Sequence, residues 1–127
     1  MPNVRLDIVL ISTADFPAML AFYRDVLGLS SIDEDPDPEL HAPGVDWAAF
    51  DAGGMRLELF GTPDAEPVQR DRVAVVPAFR VEGLDGVVGR LKDRGVVFTE
   101  RGREAWGAYA NLRDPDGNLL NLYEPDA

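Results

Sequence analysis

Apolar and polar positions alternate along most of this chain, and two stretches break the alternation with a helical period. Val4 to Thr13 reads as a strand, with Leu6, Ile8 and Leu10 on one face and Val9 and Ile11 on the other, so that cover on both sides is expected. Phe16, Met19, Leu20 and Tyr23 then follow the i, i+3, i+4, i+7 spacing of a buried helix stripe. Asp15 is placed to cap this helix, Pro17 is tolerated in its first turn, and Gly28 stops it. Three strands are predicted next, near Leu29 to Asp33, Asp46 to Asp51 and Met55 to Phe60, the last two joined by a hairpin at Gly53-Gly54.

The same order recurs in the second half. Val73 to Val81 reads as a strand, and Leu84, Val87, Val88 and Leu91 form a second helix stripe that ends at Gly95. Strands near Val96 to Glu100, Gly107 to Arg113 and Asn118 to Tyr123 complete it. The second stripe is the first displaced by 68 positions. Shared order and spacing together point to a duplicated βαβββ unit. Residues Asp64 to Asp71, charged and containing Pro67, are the expected linker between modules at about 1–63 and 72–127. Each module alone is small for independent stability, so one α+β domain built of two modules is expected.

Composition narrows the function. Twelve basic residues face 23 acidic ones, a formal net charge of -11, which would repel nucleic-acid phosphates. No apolar run approaches the roughly 18 residues of a membrane span, and no signal segment opens the chain, so a cytoplasmic protein is expected. Cysteine is absent, which removes disulfides, thiolate metal sites and thiol nucleophiles. Five acids crowd into Asp33, Glu34, Asp35, Asp37 and Glu39, a solvated loop or a rim that attracts cations. The single histidine, His41, sits in the same inter-strand loop and reads as a surface residue.

The stretch Asp114-Pro115-Asp116-Gly117-Asn118 is a tight turn between two alternating runs, with Pro115 fixing φ and Gly117 taking the left-handed conformation. Together with Ala21-Phe22-Tyr23-Arg24-Asp25-Val26-Leu27-Gly28-Leu29 and the paired modules, it resembles the vicinal oxygen chelate superfamily of glyoxalases, extradiol dioxygenases and bleomycin-resistance proteins. The resemblance covers nearly the whole chain. It implies two modules whose sheets curl into a cup for a ligand, and a homodimer.

Metal-dependent members of that superfamily place one ligand on the first and one on the last strand of each module. Those positions correspond here to Ile8, Glu58, Val76 and Asn121. One carboxylate, one amide and two aliphatic side chains are a poor donor set for a divalent metal, so no metal and no other cofactor is expected. A cup lined by Ile8, Trp47, Glu58, Phe60, Val76, Trp106, Tyr109, Asn121 and Tyr123 is expected instead, apolar and aromatic with a few fixed polar groups. Trp106-Gly107 resembles the Trp-Gly before the last hairpin of bleomycin-resistance-like members. Each Trp could equally be ordinary packing, and a bulge would flip the facing of the seventh strand. Glu58 has apolar neighbours, and its carboxyl would tend toward a raised pKa unless paired; it is either a ligand anchor and acid/base or the partner of Arg56 or Arg113. Asn121 either bonds a ligand or satisfies the sheet.

Two classes of function remain. The first is metal-independent binding of a small aromatic natural product, a cationic one suiting the acidic balance, for resistance or self-protection. The second is a glyoxalase-like lyase, isomerase or dioxygenase, metal-free with Glu58 as acid/base or, with fewer ligands in its favour, metal-dependent. The residues lean toward the non-enzymatic class.

Overall fold

The computed structural model describes residues 6–33, 44–62 and 75–127. The predicted linker, His41 and the acidic run beyond Asp33 lie outside these residues. The chain divides into two compact units, Met1–Glu66 and Pro67–Ala127.

In the first unit, β1 (Ile8–Thr13) leads into helix α1 (Phe16–Ala21). The Asp15 side chain accepts from the Ala18 N–H at 3.3 Å, and Pro17 sits in the first turn. The helix then widens into a π-helical turn over Phe22–Val26, where the Leu27 N–H reaches the Phe22 carbonyl five residues back at 2.7 Å. Leu29 N–H bonds to the Tyr23 carbonyl, and Gly28 at φ 84 closes the helix in the left-handed conformation. Met19, Phe22 and Tyr23, at i, i+3 and i+4, are the buried residues, while Phe16 and Leu20 of the predicted stripe are only half-buried.

Strands β2 (Ser30–Ile32), β3 (Trp47–Asp51) and β4 (Arg56–Gly61) follow, and the sheet runs β1-β4-β3-β2. β1 and β4 are parallel, while the β4/β3 and β3/β2 pairs are antiparallel. Register fixes the two faces. Leu57, Leu59 and Phe50 are buried beneath the helix, where Tyr23 meets Phe50 with ring centres 6.4 Å apart. The other face has no helix over it. There Leu10 is 59% exposed, and Leu6 just before the strand is 72% exposed. The expectation that β1 is covered on both sides therefore fails among the described residues.

The second unit repeats the pattern with β5 (Ala78–Arg80), α2 (Leu84–Asp93), β6 (Phe98–Glu104), β7 (Gly107–Arg113) and β8 (Leu119–Pro125), in the order β5-β8-β7-β6. β5 is shorter than predicted, because Pro77 has no N–H for the ladder and the pairing starts after it. Leu84, Val88 and Leu91 of α2 are buried with Ala110, Leu112, Leu120 and Leu122 of the sheet. The same alternation on β8 brings Glu124 to the start of α2. Its carboxylate accepts from the Gly83 and Leu84 N–H groups at 2.6 and 2.9 Å, a cap supplied from about forty residues away. Each unit is thus a four-stranded mixed sheet with one helical face, the α+β architecture expected of tandem βαβββ modules.

Candidate functional site

Burying a hydrophobic face under each helix leaves the polar and aromatic strand residues on the opposite, helix-free face. In the first unit, β1/β4/β3 pairing puts Ile8, Glu58, Phe60 and Trp47 on that face together. Glu58 is only 2% exposed. Its Oε1 accepts from the Trp47 indole N–H at 2.9 Å and its Oε2 from Arg56 Nε at 2.9 Å. Ala49 stands directly across from Glu58, and Trp47, two residues before it on β3, reaches the carboxylate diagonally. Glu58 thus pairs with Arg56, as the salt-bridge reading expects. Arg113 is engaged elsewhere, donating to the Gly117 carbonyl at 2.7 Å.

In the second unit, the helix-free face carries a ladder across β7 and β8. Tyr109 faces Tyr123, Asn111 faces Asn121, and Arg113 faces Leu119. Asn121 Nδ2 donates to Asn111 Oδ1 at 2.7 Å. Tyr109 donates its hydroxyl to Glu100 at 2.8 Å, and its ring lies over Gly102, where any side chain would collide with it. The hydrogen bond to Glu100, followed by desolvation, holds the Tyr109 hydroxyl above its ordinary pKa of 10.0. Trp106 lies in the turn before β7, 49% exposed, with its ring edge-on to Tyr123 at 6.0 Å. The irregularity that sequence reasoning allowed for on the seventh strand falls on β6 instead. The register shifts between Phe98 and Glu100, so Phe98 turns to the core side and Glu100 joins the helix-free face.

The predicted residues therefore form two sets. Ile8, Trp47, Glu58 and Phe60 belong to the first unit, and Trp106, Tyr109, Asn121 and Tyr123 to the second. Val76 precedes β5 and is 38% exposed. Asn111 was missed by sequence reasoning, although it stands two residues from Tyr109 on the same strand and so shares its face; its pairing with Asn121 depends on the β7/β8 register. A separate hollow of about 330 Å³ opens at the ends of β1 and β4, between Thr13, Phe16, Pro17, Asp46 and Gly61, and contains none of the predicted residues.

The four positions that would hold a family metal do not fit one. Ile8 and Val76 offer no donor atom and both Glu58 oxygens accept bonds from neighbouring side chains, which leaves the neutral Asn121 amide oxygen as a single weak donor. Among the described residues, no three His, Cys, Asp or Glu side chains gather into a metal-holding group. None of the described helices is long and apolar enough to cross a membrane.

Comparison with known proteins agrees with this architecture. Residues 5–122 match the model of the Glyoxalase/Bleomycin resistance protein/Dioxygenase superfamily, and the chain belongs to that superfamily. The uncharacterized protein YraH of Bacillus subtilis (strain 168) is 30% identical over 122 residues, spanning 87% of this chain and 90% of that protein. A glyoxalase/dioxygenase from Nostoc punctiforme shares the fold with a TM-score of 0.81 and 24% identity, covering 97% of this chain and 92% of that one. TnmS3, an antibiotic binding protein from Streptomyces sp. CB03234, does so with a TM-score of 0.72 and 22% identity over 99% of both chains.

Proposed function

We propose that this protein binds a small aromatic molecule, with no metal and no reaction, using the helix-free faces of its sheets. The engagement of Glu58 carries the reading. The one carboxylate among the four metal positions is buried and accepts from both Trp47 and Arg56, which suits a structural role better than metal ligation or proton exchange. Trp106, Tyr109 and Tyr123 supply faces for stacking, and the same faces attract cations. An aromatic natural product, cationic ones included, is the ligand class that these rings and the acidic composition support. Antibiotic binding by the similarly folded TnmS3 is compatible with a role in resistance or self-protection. A cytoplasmic homodimer completes the proposal, the dimer supported by the exposed Leu6 and Leu10 at an edge strand.

The test has two arms. Metal content after dialysis against Zn²⁺, Ni²⁺, Mn²⁺ and Fe²⁺ in turn is expected to stay under ~0.1 equivalent for each, and one tightly held equivalent would overturn the reading. Tryptophan emission titrated with planar aromatic compounds is expected to report saturable quenching, and catalytic turnover of any of them would move the protein to the enzyme class.

A further inference from the structure

On the ladder of the second unit, one rung has hydrogen-bonding capacity left over. Each asparagine carries one acceptor oxygen and an NH₂ with two donors. The bond from Asn121 Nδ2 to Asn111 Oδ1 consumes one donor and one acceptor. It leaves the Asn121 oxygen and the Asn111 NH₂, on facing residues of one rung, with no other partner among the described residues. Both residues are only half-buried, so these groups meet solvent or a ligand. If both amides turn over together, the internal bond survives and the outward pair is still one acceptor beside one donor.

The adjacent rungs offer no such donor–acceptor pair. The Tyr109 hydroxyl donates to Glu100, and Arg113, which gives one N–H to the Gly117 carbonyl, has donors only. What Tyr109 and Tyr123 retain is their rings, two residues along the strands from the amides and on the same face. Two residues of strand span roughly 7 Å, which separates a stacking rung from a polar rung by about the length of a fused-ring compound.

We infer that the Asn111–Asn121 rung reads the edge of a planar fused-ring ligand bearing a ring amide or imide, while the aromatic rung and Trp106 hold its other rings. An acceptor beside a donor complements an N–H beside a carbonyl, and it offers a bare cation or a hydrocarbon edge no such match. Asn111 thereby becomes a specificity-determining residue. This inference rests on the proposed binding function and names its ligand class.

Three probes test it by quenching of tryptophan emission: lumichrome, whose ring N–H groups lie beside carbonyls; 1,3-dimethyl-lumichrome, which lacks both N–H groups; and phenazine, a tricycle with neither N–H nor carbonyl. Lumichrome is expected to bind best, losing about tenfold in affinity on methylation of both N1 and N3 and about tenfold in Asn111→Ala or Asn121→Ala. Phenazine affinity is expected to be the same in all variants. Asn111→Asp keeps the side-chain size but has no NH₂, so it serves if the alanine variants lose their native circular dichroism, and it is expected to weaken lumichrome equally. Equal binding of lumichrome and its dimethyl derivative, or folded variants that bind lumichrome within about twofold of wild type, would overturn the amide readout. Phenazine binding would in that event leave the stacking function standing. No quenching by any probe up to ~1 mM would remove both.

Discussion

Replacing Glu58 by glutamine separates a structural carboxylate from a functional one. The carboxylate is 2% exposed and accepts two hydrogen bonds, one from a guanidinium and one from an indole. Glutamine fits the same space but has one acceptor oxygen, so it keeps one of these bonds and turns its NH₂ toward the other donor. Hydrogen bonds to a charged group contribute about 1.5–3 kcal/mol, and removing one partner of a fully buried ion pair costs about 3–5 kcal/mol. The Arg56 side chain is 21% exposed and so recovers part of its hydration, which places the expected loss for Glu58→Gln at about 2–3 kcal/mol. Trp47→Phe removes the indole donor and part of the ring, and is expected to cost about 1.5–3 kcal/mol. The double variant Arg56→Met with Glu58→Leu removes both charges, and it is expected within about 1 kcal/mol of wild type. Urea unfolding read by far-UV circular dichroism gives all three values. A Glu58→Gln protein within ~0.5 kcal/mol of wild type would refute the structural assignment. If that variant also lost ligand affinity, Glu58 would return to the binding machinery.

Three further outcomes are expected. Glu124 has its pKa lowered from 4.5, first by the Leu84 N–H and then by the Gly83 N–H; a depressed folded-state pKa gives stability that is complete above the unfolded value and is lost as pH falls through the folded one. Glu124→Gln is therefore expected to flatten the acid limb of the stability profile below about pH 4.5, as followed by thermal melts from pH 6 downward. Asp114→Ala removes a carboxylate that accepts from Asp116 N, Asn118 N and Asn118 Nδ2 at 2.8–3.0 Å, and urea titration is expected to show a loss of about 2–3 kcal/mol. Glu100→Ala removes the acceptor and is expected to bring Tyr109 down toward its ordinary ionisation range, seen in absorbance at high pH, and a titration identical to wild type would contradict the hydrogen bond.

Elements set by local chemistry were legible in the sequence. The helix starts and stops follow from Asp15, Pro17, Gly28 and Gly95, and β7 was read with its observed bounds because Gly107 and the Asp114 turn delimit it. The π-helical turn was not legible, since Phe22 to Val26 have nothing that distinguishes them from an ordinary helix end. Arg56 was foreseeable as a partner of Glu58 because residues two apart on a strand share a face. Trp47 was not, because a diagonal contact depends on the β3/β4 register that the Gly53-Gly54 turn selects. Glu100 escaped because its facing is fixed by the shift within β6; Asn111, two residues from Tyr109, was foreseeable on that face, and only its pairing with Asn121 depends on register.

The turn at Asp114 bears on how such chains are recognised at all. Every polar atom of its carboxylate accepts from its own loop, and Arg113 clasps the same loop from the other side. The Asp114–Asn118 stretch that helps carry the resemblance to this superfamily thus encodes the closure of a hairpin, and no ligand need ever touch it. Selection for a closed hairpin can preserve that signature while Ile8, Val76 and the rung at Asn111 drift to new chemistry. Kinship read from the turn and activity read from the sheet faces are separate inheritances, and a search tuned to the first will keep gathering proteins that differ in the second.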